Sequence, residues 1–229
     1  MLLRASPEAT RKAEHDEIAE RVTTKETYFF RERHQLDSFS QQILPRLASE
    51  RAPARRLGIW SAGCSTGKEV YTIAMLVLES GLFAGWDVRV FGSDISRKAL
   101  RAARMAEYGA GSFRVTEQPR IDRWFDAADG KHRVKQEVRD LCRFGHMNLV
   151  DPESTSVLGA FDVVFCRNVV IYFDGKSRDR LISTLEGKLH PGGYLLLGHS
   201  EALAGLTSRL ELVHLPDDIV YRRPLAEHT

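Results

Sequence analysis

The sequence has little cysteine, only scattered histidines and no cluster with metal-ligand spacing. Its three cysteines, Cys64, Cys142 and Cys166, form no CxxC pair, and any disulfide scheme leaves one thiol over. The eight histidines occur singly, without an HxxxH or HExxH pattern. We therefore expect no metal site, and we expect reduced, partly buried thiols.

Long hydrophobic runs and an excess of one charge are also absent. The longest apolar stretches, such as Ile73 to Leu78 and Tyr194 to Leu197, fall far short of the roughly 20 residues that span a bilayer. The first residues, MLLRASPEATRKAEH, turn charged too soon for a signal-peptide core. A formal net charge of +2 over 229 residues does not suggest nucleic acid as a partner. We expect a cytoplasmic protein without membrane insertion.

The chain divides at a short linker, Ser49 to Arg56. Residues 1–52 are predicted to form a short helical region, and residues 53–229 to form one larger domain. In the first region, Thr23 and Glu26 form a capping-box pattern. Apolar residues then recur at near-helical spacing until Pro45 interrupts them: Phe29, Leu36, Phe39 and Ile43.

From Leu57 onward, short apolar strands alternate with amphipathic helices. The predicted order is strand LGIWSAG, a helix from about Lys68 to Ser80, strand DVRVFGSD, a helix from about Ser96 to Tyr108, strand FDVVFCRN, a helix from about Ser177 to Leu189, the turn Pro191 to Gly193 and strand YLLLG. This alternation predicts a mainly parallel sheet with helices on both faces.

Residues 111–147 interrupt the alternation. A short helix at Pro119 to Phe125 is followed by alternating polar and apolar residues around Val134, Val138 and Leu141. This pattern suits a small antiparallel hairpin insertion carried on the main sheet.

Two strands without a helix between them close the chain, at Leu210 to His214 and Asp218 to Arg222. They predict a hairpin that finishes the sheet. Such an ending is typical of class I methyltransferases and unusual for dinucleotide dehydrogenases.

The first strand-to-helix turn, Trp60 to Gly67, is the expected ligand site, because open parallel sheets bind ligands at the carboxyl ends of their strands. Gly63 and Gly67 would let the backbone approach a ligand, and N–H groups at the helix start could bind its polar atoms. Taken alone, AGCSTG is a weak signal that lacks the full GxGxxG, and glycines also make plain turns.

Two acidic residues lie near this turn. Asp94 ends the second strand, where a carboxylate can accept hydrogen bonds from both hydroxyls of a ribose. The alternative is that Asp94 caps the helix that starts at Ser96. Glu69 forms a second capping-box pattern with Thr66.

Five segments resemble the chemotaxis receptor methyltransferases of the CheR family: TTKETYFFRE, GIWSAGCSTGKEVYTIAM, FGSDISRKALRAAR, FDVVFCRNVVIYFD and PGGYLLLGHSE. They keep the family's order and cover nearly everything from about Val22 to Tyr221. The resemblance implies a class I S-adenosylmethionine-dependent methyltransferase, an α/β Rossmann-like fold with a mainly parallel seven-stranded sheet, a small antiparallel β insertion and a short N-terminal helical region. It implies methyl transfer to glutamate side-chain carboxylates of chemotaxis-type receptors, with S-adenosylhomocysteine as the product.

The same resemblance implies the site residues. With Gly63 on the loop, the expected cofactor contacts are Thr27, Arg31, Glu69, Asp94, Asn148, Leu149, Arg167 and Asn168, and the residues expected to serve the transfer step are Arg31 and Tyr172. Thr27 and Arg31 lie four apart on the predicted first helix and would project from one face. Arg31 could orient a carboxylate of substrate or cofactor, and Tyr172 could face the sulfonium. The plain alternatives are a solvated helix charge for Arg31 and a turn residue for Asn168.

The implied chemistry needs no catalytic base. A glutamate has a reference pKa of about 4.3, so the nucleophile is already ionised at neutral pH. The lack of a Ser-His-Asp constellation is then expected. The enzyme must place a carboxylate oxygen in line with the methyl carbon and exclude water.

The sequence departs from the family pattern at several positions. Lys25 replaces a common Asn, Lys68 and Val70 replace Glu and Pro, and the N-terminal region is shorter than in family members. Residues 126–133, DAADGKHR, hold one glycine where receptor-tethering members have a glycine-richer loop, so we expect no binding to a receptor carboxyl-terminal pentapeptide.

We expect the protein to be a monomer. Two other functions stay open. One is a methyltransferase of the same fold that acts on another protein or a small acid. The other is a non-catalytic S-adenosylmethionine-binding signalling module. Methylation of nucleic acid is disfavoured because Asn168 begins RNVVIY rather than an NPPY-type motif.

Overall fold

The computed structural model describes residues 27–199, 201 and 209–225. The helices are α1 (Arg33–Ser38), a π-helical segment (Phe39–Ile43), α2 (Leu44–Glu50), α3 (Lys68–Ser80), α4 (Arg97–Met105), α5 (Gln118–Trp124), α6 (Gln136–Asp140), α7 (Pro152–Ser156) and α8 (Gly175–Gly187). Two short 3₁₀ helices cover Ala110–Phe113 and Val170–Tyr172. Among the described residues, no helix is both long and apolar enough to cross a membrane.

Within the described part of the chain, the strands form two sheets. They are β1 (Arg56–Ala62), β2 (Asp87–Asp94), β3 (Glu107–Tyr108), β4 (Phe125–Ala128), β5 (Lys131–Val134), β6 (Cys142–His146), β7 (Phe161–Cys166), β8 (Leu189–Leu197), β9 (Glu211–His214) and β10 (Ile219–Arg222). The large sheet has seven strands in the order β6-β2-β1-β7-β8-β10-β9, and the small sheet has the order β3-β5-β4.

Pairing in the large sheet is parallel from β6 to β8. Only β10 runs antiparallel, to β8 on one side and to β9 on the other. This confirms the predicted fold class, with its mainly parallel seven-stranded sheet and closing hairpin. Strand order reverses beside β1, so the carboxyl ends of β1 and β7 border the crevice where such sheets bind ligands.

Neighbouring residues of the central strands pack on opposite faces, as the period of two requires. Ile59 and Phe165 belong to the core cluster under α3 and the N-terminal helices. Trp60 and Cys166, one residue further along, belong to the cluster under α8. Both faces are buried, which explains why these strands are continuously apolar.

The N-terminal segment differs from the prediction. Helix α1 begins at Arg33, so Thr27 and Arg31 do not lie on one helix face. The N–H of Phe29 donates to the Ser112 carbonyl at 3.0 Å, and that of Phe30 donates to Thr72 Oγ1 at 3.2 Å. Because these donors are bound by other elements, the segment cannot form internal helix hydrogen bonds. The capping-box pair predicted at Thr23 and Glu26 lies outside the described residues.

Pro45 does not end the helical region. The run continues to Glu50 through the π-helical segment, in which the N–H of Leu44 donates to the Phe39 carbonyl. Pro45 lies in the first turn of α2, directly after the π-helical segment. At this position the lack of a backbone N–H removes little helix stability.

The small sheet contains the predicted hairpin, but the hairpin ends at Val134 and a third strand, β3, completes the sheet. Strands β4 and β5 pair from Phe125–Val134 to Ala128–Lys131, and the turn residues Asp129 and Gly130 both have positive φ. Val138 lies in α6 instead, and β6 is a strand of the large sheet. Alternation of polar and apolar residues over so short a stretch does not separate a strand from one helical turn.

Two other element boundaries differ. The helix predicted to reach Tyr108 ends at Met105, because Glu107 and Tyr108 pair with β5. The predicted turn at Pro191 to Gly193 is an irregularity inside β8, where the register against β7 shifts.

Candidate active site

A cavity opens at the carboxyl ends of β1 and β7, beside the loop from β1 to α3. Six residues predicted for the site line it: Thr27, Arg31, Gly63, Glu69, Arg167 and Asn168. The other lining residues are Tyr28, Leu36, Cys64, Ser65 and Thr72. The cavity thus combines the N-terminal segment, the β1–α3 loop and the end of β7, which are distant in sequence.

The protein's own backbone conformation and packing favour glycine at both positions of the loop. Gly63 and Gly67 have φ values of +82° and +84°, a region that L side chains rarely adopt. A Cβ on Gly63 would lie 2.4 Å from Val169 Cγ2, and one on Gly67 would lie 2.8 Å from Ala103 Cβ. The space that these glycines leave is therefore filled by the protein's own side chains. Gly63 nevertheless forms part of the cavity wall.

Asp94 ties the two loops at the ends of β1 and β2 together. Its Oδ2 accepts the Ser65 N–H at 2.7 Å, and its Oδ1 accepts the Ser96 N–H at 2.8 Å. The cap of α4 is Ser96, whose Oγ accepts the Ala99 N–H, so Asp94 is not the capping residue. A carboxylate has about four lone-pair sites, so this type of group can accept ribose hydroxyls as well as backbone N–H groups.

Arg167 lies between two carboxylates, with only 3% of its side chain exposed. Its Nη1 donates to Glu69 Oε2 at 3.2 Å, and its Nη2 lies 3.1 Å from Glu32 Oε2. The same Nη2 donates to the Arg31 carbonyl at 2.7 Å. Arg167 therefore connects the N-terminal segment to the carboxyl end of β7.

The pKa values of the two carboxyls shift in opposite directions. Burial raises the pKa of Glu69, and attraction to Arg167 and the hydrogen bond from Ser61 offset this only partly. Burial acts on Glu32 as well, but Arg167 and Arg31 outweigh it and lower the pKa of that carboxyl. Glu32 is therefore ionised at neutral pH and forms an ion pair with Arg167.

The capping box predicted for Thr66 and Glu69 is wrong. The N-cap of α3 is Gly67, with no side-chain cap. Glu69 Oε1 instead accepts the Ser61 hydroxyl at 2.8 Å, and Thr66 Oγ1 accepts Lys68 Nζ at 2.9 Å. Glu69 is thus directed away from the helix end and toward the cavity.

Arginine side chains flank Tyr28 at the cavity. The Arg31 guanidinium carbon lies 6.0 Å from the centroid of the Tyr28 ring, and that of Arg114 lies 4.5 Å from it. This places positive charge beside a cavity wall, where it can attract a carboxylate.

Asn168 follows β7 in a left-handed conformation, with φ of 57°. Glu201 holds it there: its carboxylate accepts the N–H of Asn168 at 2.7 Å, of Gly198 at 2.8 Å and of Ile171 at 3.2 Å. Phe30, Glu32 and Ser65 also have positive φ. Such residues cost about 1–2 kcal/mol each in ordinary settings, and their grouping around one cavity is typical of a functional site.

Four predicted site residues do not line the cavity. Asn148 and Leu149 follow β6 and lie beside Asp94, because the neighbouring Met147 N–H donates to the Asp94 carbonyl at 3.0 Å. Tyr172 lies in the 3₁₀ helix after β7 and is 38% exposed.

Cys64 is in the cavity wall but is not poised as a nucleophile. Burial, together with the nearby Asp94 and Glu69 charges, raises the pKa of its thiol well above the ordinary value. The thiolate is the reactive form, and it is disfavoured here. All three cysteines are free and buried.

Comparison with known proteins identifies the family of the chain. The model of the CheR methyltransferase, SAM binding domain, matches residues 25–219. The chain belongs to the CheR methyltransferase family. A chemotaxis protein methyltransferase of Vibrio parahaemolyticus is 38% identical over 208 residues, which are 88% of this chain and 73% of the relative. Chemotaxis protein methyltransferase 1 of Pseudomonas aeruginosa is 38% identical over 213 residues, 90% of this chain and 76% of the relative.

One solved structure supports the fold independently. The N-methyltransferase NodS from Bradyrhizobium japonicum, solved with S-adenosylhomocysteine, has a TM-score of 0.53 at 17% identity, and the match covers 93% of this chain and 98% of NodS. The CheR-family chain thus has the class I methyltransferase fold, and S-adenosylmethionine is its cofactor.

The residues that line the cavity have the charges needed to hold the amino-acid end of this cofactor. The guanidinium groups of Arg31 and Arg167 and the carboxylate of Glu69 supply charges of both signs, as an ammonium and a carboxylate require. The buried Arg167 Nε has no hydrogen-bond partner among the described residues. Buried donors are normally satisfied, so an unpaired one beside a cavity suits a polar ligand.

Sequence reasoning missed the residues that hold the site together. Glu32 and Glu201 stand inside two of the segments that resemble the family, yet no spacing relates them to Arg167 or Asn168. A separation of 136 positions between Arg31 and Arg167 can be bridged only by the fold.

Proposed function

We propose that this CheR-family methyltransferase esterifies glutamate side chains on the cytoplasmic helices of chemotaxis-type receptors. The donor is S-adenosylmethionine, and the products are glutamyl methyl esters and S-adenosylhomocysteine. We also propose that the enzyme acts as a monomer in the cytoplasm. The observation that carries the proposal is the cavity where Arg31 and Arg167 lie beside Glu32 and Glu69, in a chain of this family.

The charges of the cavity fit a carboxylate acceptor. The acceptor is ionised near neutral pH, so no side chain has to remove a proton. Cys64 has a raised pKa and offers no competing thiolate. The residues then act by orientation: Arg31 can bind a carboxylate with its planar donors while Asn168 and Glu69 border the same space.

Asp94, Asn148 and Leu149 are proposed to hold the nucleoside part of the cofactor. They lie together at the ends of β2 and β6, next to Ser65 of the cavity wall. Tyr172 is proposed to approach the transfer site from the 3₁₀ helix that follows Asn168.

Incubation with methyl-labelled S-adenosylmethionine and a panel of purified receptor cytoplasmic fragments tests the proposal. We expect label on at least one fragment, and we expect mild base to release it as methanol, since esters are base-labile. Label that resists base, or appears only on another class of acceptor, would contradict the proposal.

A further inference from the structure

Glu32 lies beside two residues of the candidate site, Arg31 and Arg167, but it does not itself line the cavity. It precedes α1 with φ of 58°, and its carbonyl accepts the N–H groups of Gln35 and Leu36. Its side chain makes no capping hydrogen bond to the helix. The backbone therefore starts the helix, while the side chain is available for another purpose.

The carboxylate of Glu32 contacts two arginines of the cavity wall. Its Oε2 lies 3.1 Å from Arg167 Nη2, and its Oε1 lies 3.7 Å from Arg31 Nε. Asn168, which also lines the cavity, directly follows Arg167 in the chain. Arg31 comes from the N-terminal segment, whereas Arg167 follows β7. One carboxylate therefore joins the two sides of the cavity.

The side chain of Arg31 is less enclosed by the protein than that of Arg167. Arg167 has a second carboxylate partner in Glu69 and is almost fully buried, so its position is fixed from several directions. The Arg31 side chain is 34% exposed and lies on a segment without helix hydrogen bonds. A long side chain in such a place loses precision when its charged neighbour is removed, because its rotamers are then less restricted.

We propose that Glu32 is a positioning residue that holds Arg31 in register with Arg167 and Asn168, and that it acts on cofactor binding and transfer through Arg31. The inference rests on the proposed function for its effect on transfer. Its effect on cofactor binding rests only on the location of Arg31 in the cavity. Glu32 itself need not touch the donor.

A double-mutant cycle tests the proposal. Affinity for S-adenosylhomocysteine is measured by calorimetry for the wild type, Glu32→Gln, Arg31→Ala and the double variant. We expect Glu32→Gln to weaken binding about tenfold in the wild-type background and less than about twofold in the Arg31→Ala background, because residues that act through one another are not additive. The same cycle on kcat and KM for a labelled receptor fragment should show the same loss of effect.

Glu50→Gln is the matched control. Glu50 ends α2, pairs with Arg222 at 2.6 Å, and lies away from the cavity, so the same chemical change should leave affinity unaltered. Glu32→Asp retains the charge on a shorter arm and should lose less affinity than Glu32→Gln. It also provides the cycle if Glu32→Gln does not fold.

Each outcome has one meaning. Additive losses, or equal affinity in Glu32→Gln and the wild type, would overturn the positioning role. A wild-type enzyme that binds S-adenosylhomocysteine but methylates no receptor fragment would overturn the proposed function, and the binding cycle would still decide the role of Glu32.

Discussion

Of two arginines near the start of α1, one is a site residue and the other is a surface charge. Arg31 lines the cavity, whereas Arg33 is exposed and pairs with Glu117 at 3.1 Å. Sequence alone offered a solvated charge as the plain alternative for Arg31. That alternative fits Arg33 better, and the difference in location is visible only in the folded structure.

Replacing each arginine by alanine tests this distinction. We expect Arg31→Ala to lower kcat/KM for methyl transfer about 100-fold, since a misplaced carboxylate loses in-line geometry. Arg33→Ala should stay within about twofold of the wild type, because surface ion pairs contribute little. Initial-rate measurements with one receptor fragment provide the comparison. Equal rates for the wild type and Arg31→Ala would remove Arg31 from the mechanism.

Lys68 is a buried cation beside the cofactor loop. It is 8% exposed, donates to Thr66, and lies 4.9 Å from the centroid of the Tyr108 ring. Burial lowers the pKa of Lys68 to about 8. An unfolded lysine titrates at about 10.4, so above about pH 8 the unfolded chain binds more protons than the folded one.

This difference predicts a stability that rises with pH. Between about pH 8 and pH 10, the free energy of unfolding of the wild type should increase relative to that of Lys68→Met, by at most about 1.4 kcal/mol per pH unit. Below that range both states bind the proton and the difference is constant. Urea melts at several pH values provide the measurement, with Lys131→Met on the exposed hairpin as control. A wild-type free energy of unfolding that stays constant or falls relative to that of Lys68→Met over this pH range would contradict the lowered pKa.

At the scale of elements, the β1–α3 loop depends on Gly63. The positive φ strains any L side chain there, and a Cβ would collide with Val169, the neighbour of Asn168. From the sequence, we predicted that Gly63 lets a ligand approach the backbone. The sequence could not predict that a valine more than 100 positions later fills the space.

Gly63→Ala should therefore destabilise the protein by about 2 kcal/mol and weaken binding of S-adenosylhomocysteine. Gly111 has no atom within 4 Å of its built Cβ and no positive φ, so Gly111→Ala is the matched control and should be neutral. Thermal melts and calorimetry measure both effects. A Gly63→Ala protein as stable as Gly111→Ala would show that the loop adapts freely.

The β4–β5 hairpin closes with only two residues, Asp129 and Gly130, outside its ladder. So short a turn leaves few backbone groups to hold a peptide. We expect no binding of a receptor carboxyl-terminal pentapeptide, and calorimetry that detected micromolar binding would refute this expectation.

At the scale of the whole molecule, the alternation of apolar strands and amphipathic helices was sufficient to predict the large sheet and its closing hairpin. Strand β6 was missed because its residues, CRFGH, are partly polar, as an edge strand allows. The boundaries at Arg33 and Tyr108 were set by contacts with distant elements, which local patterns do not contain.

In the candidate site, too, some features follow from sequence motifs and others only from contacts between distant elements. Family motifs predicted its lining residues Thr27, Arg31, Glu69, Arg167 and Asn168, which the fold gathers in one cavity. Their supports, Glu32 and Glu201, become visible only when the N-terminal segment and the ends of β7 and β8 are in contact. Hydrogen bonds between such distant positions follow from topology rather than from spacing.

The most direct test of the central claim is to locate the transferred methyl group. A purified receptor cytoplasmic fragment is incubated with the enzyme and S-adenosylmethionine, digested at acidic pH and analysed by mass spectrometry. The account predicts glutamate residues heavier by one methylene group, lost after mild base and absent with Arg31→Ala. Modification of another residue type, or no modification of any receptor fragment by an enzyme that binds S-adenosylhomocysteine, would contradict it.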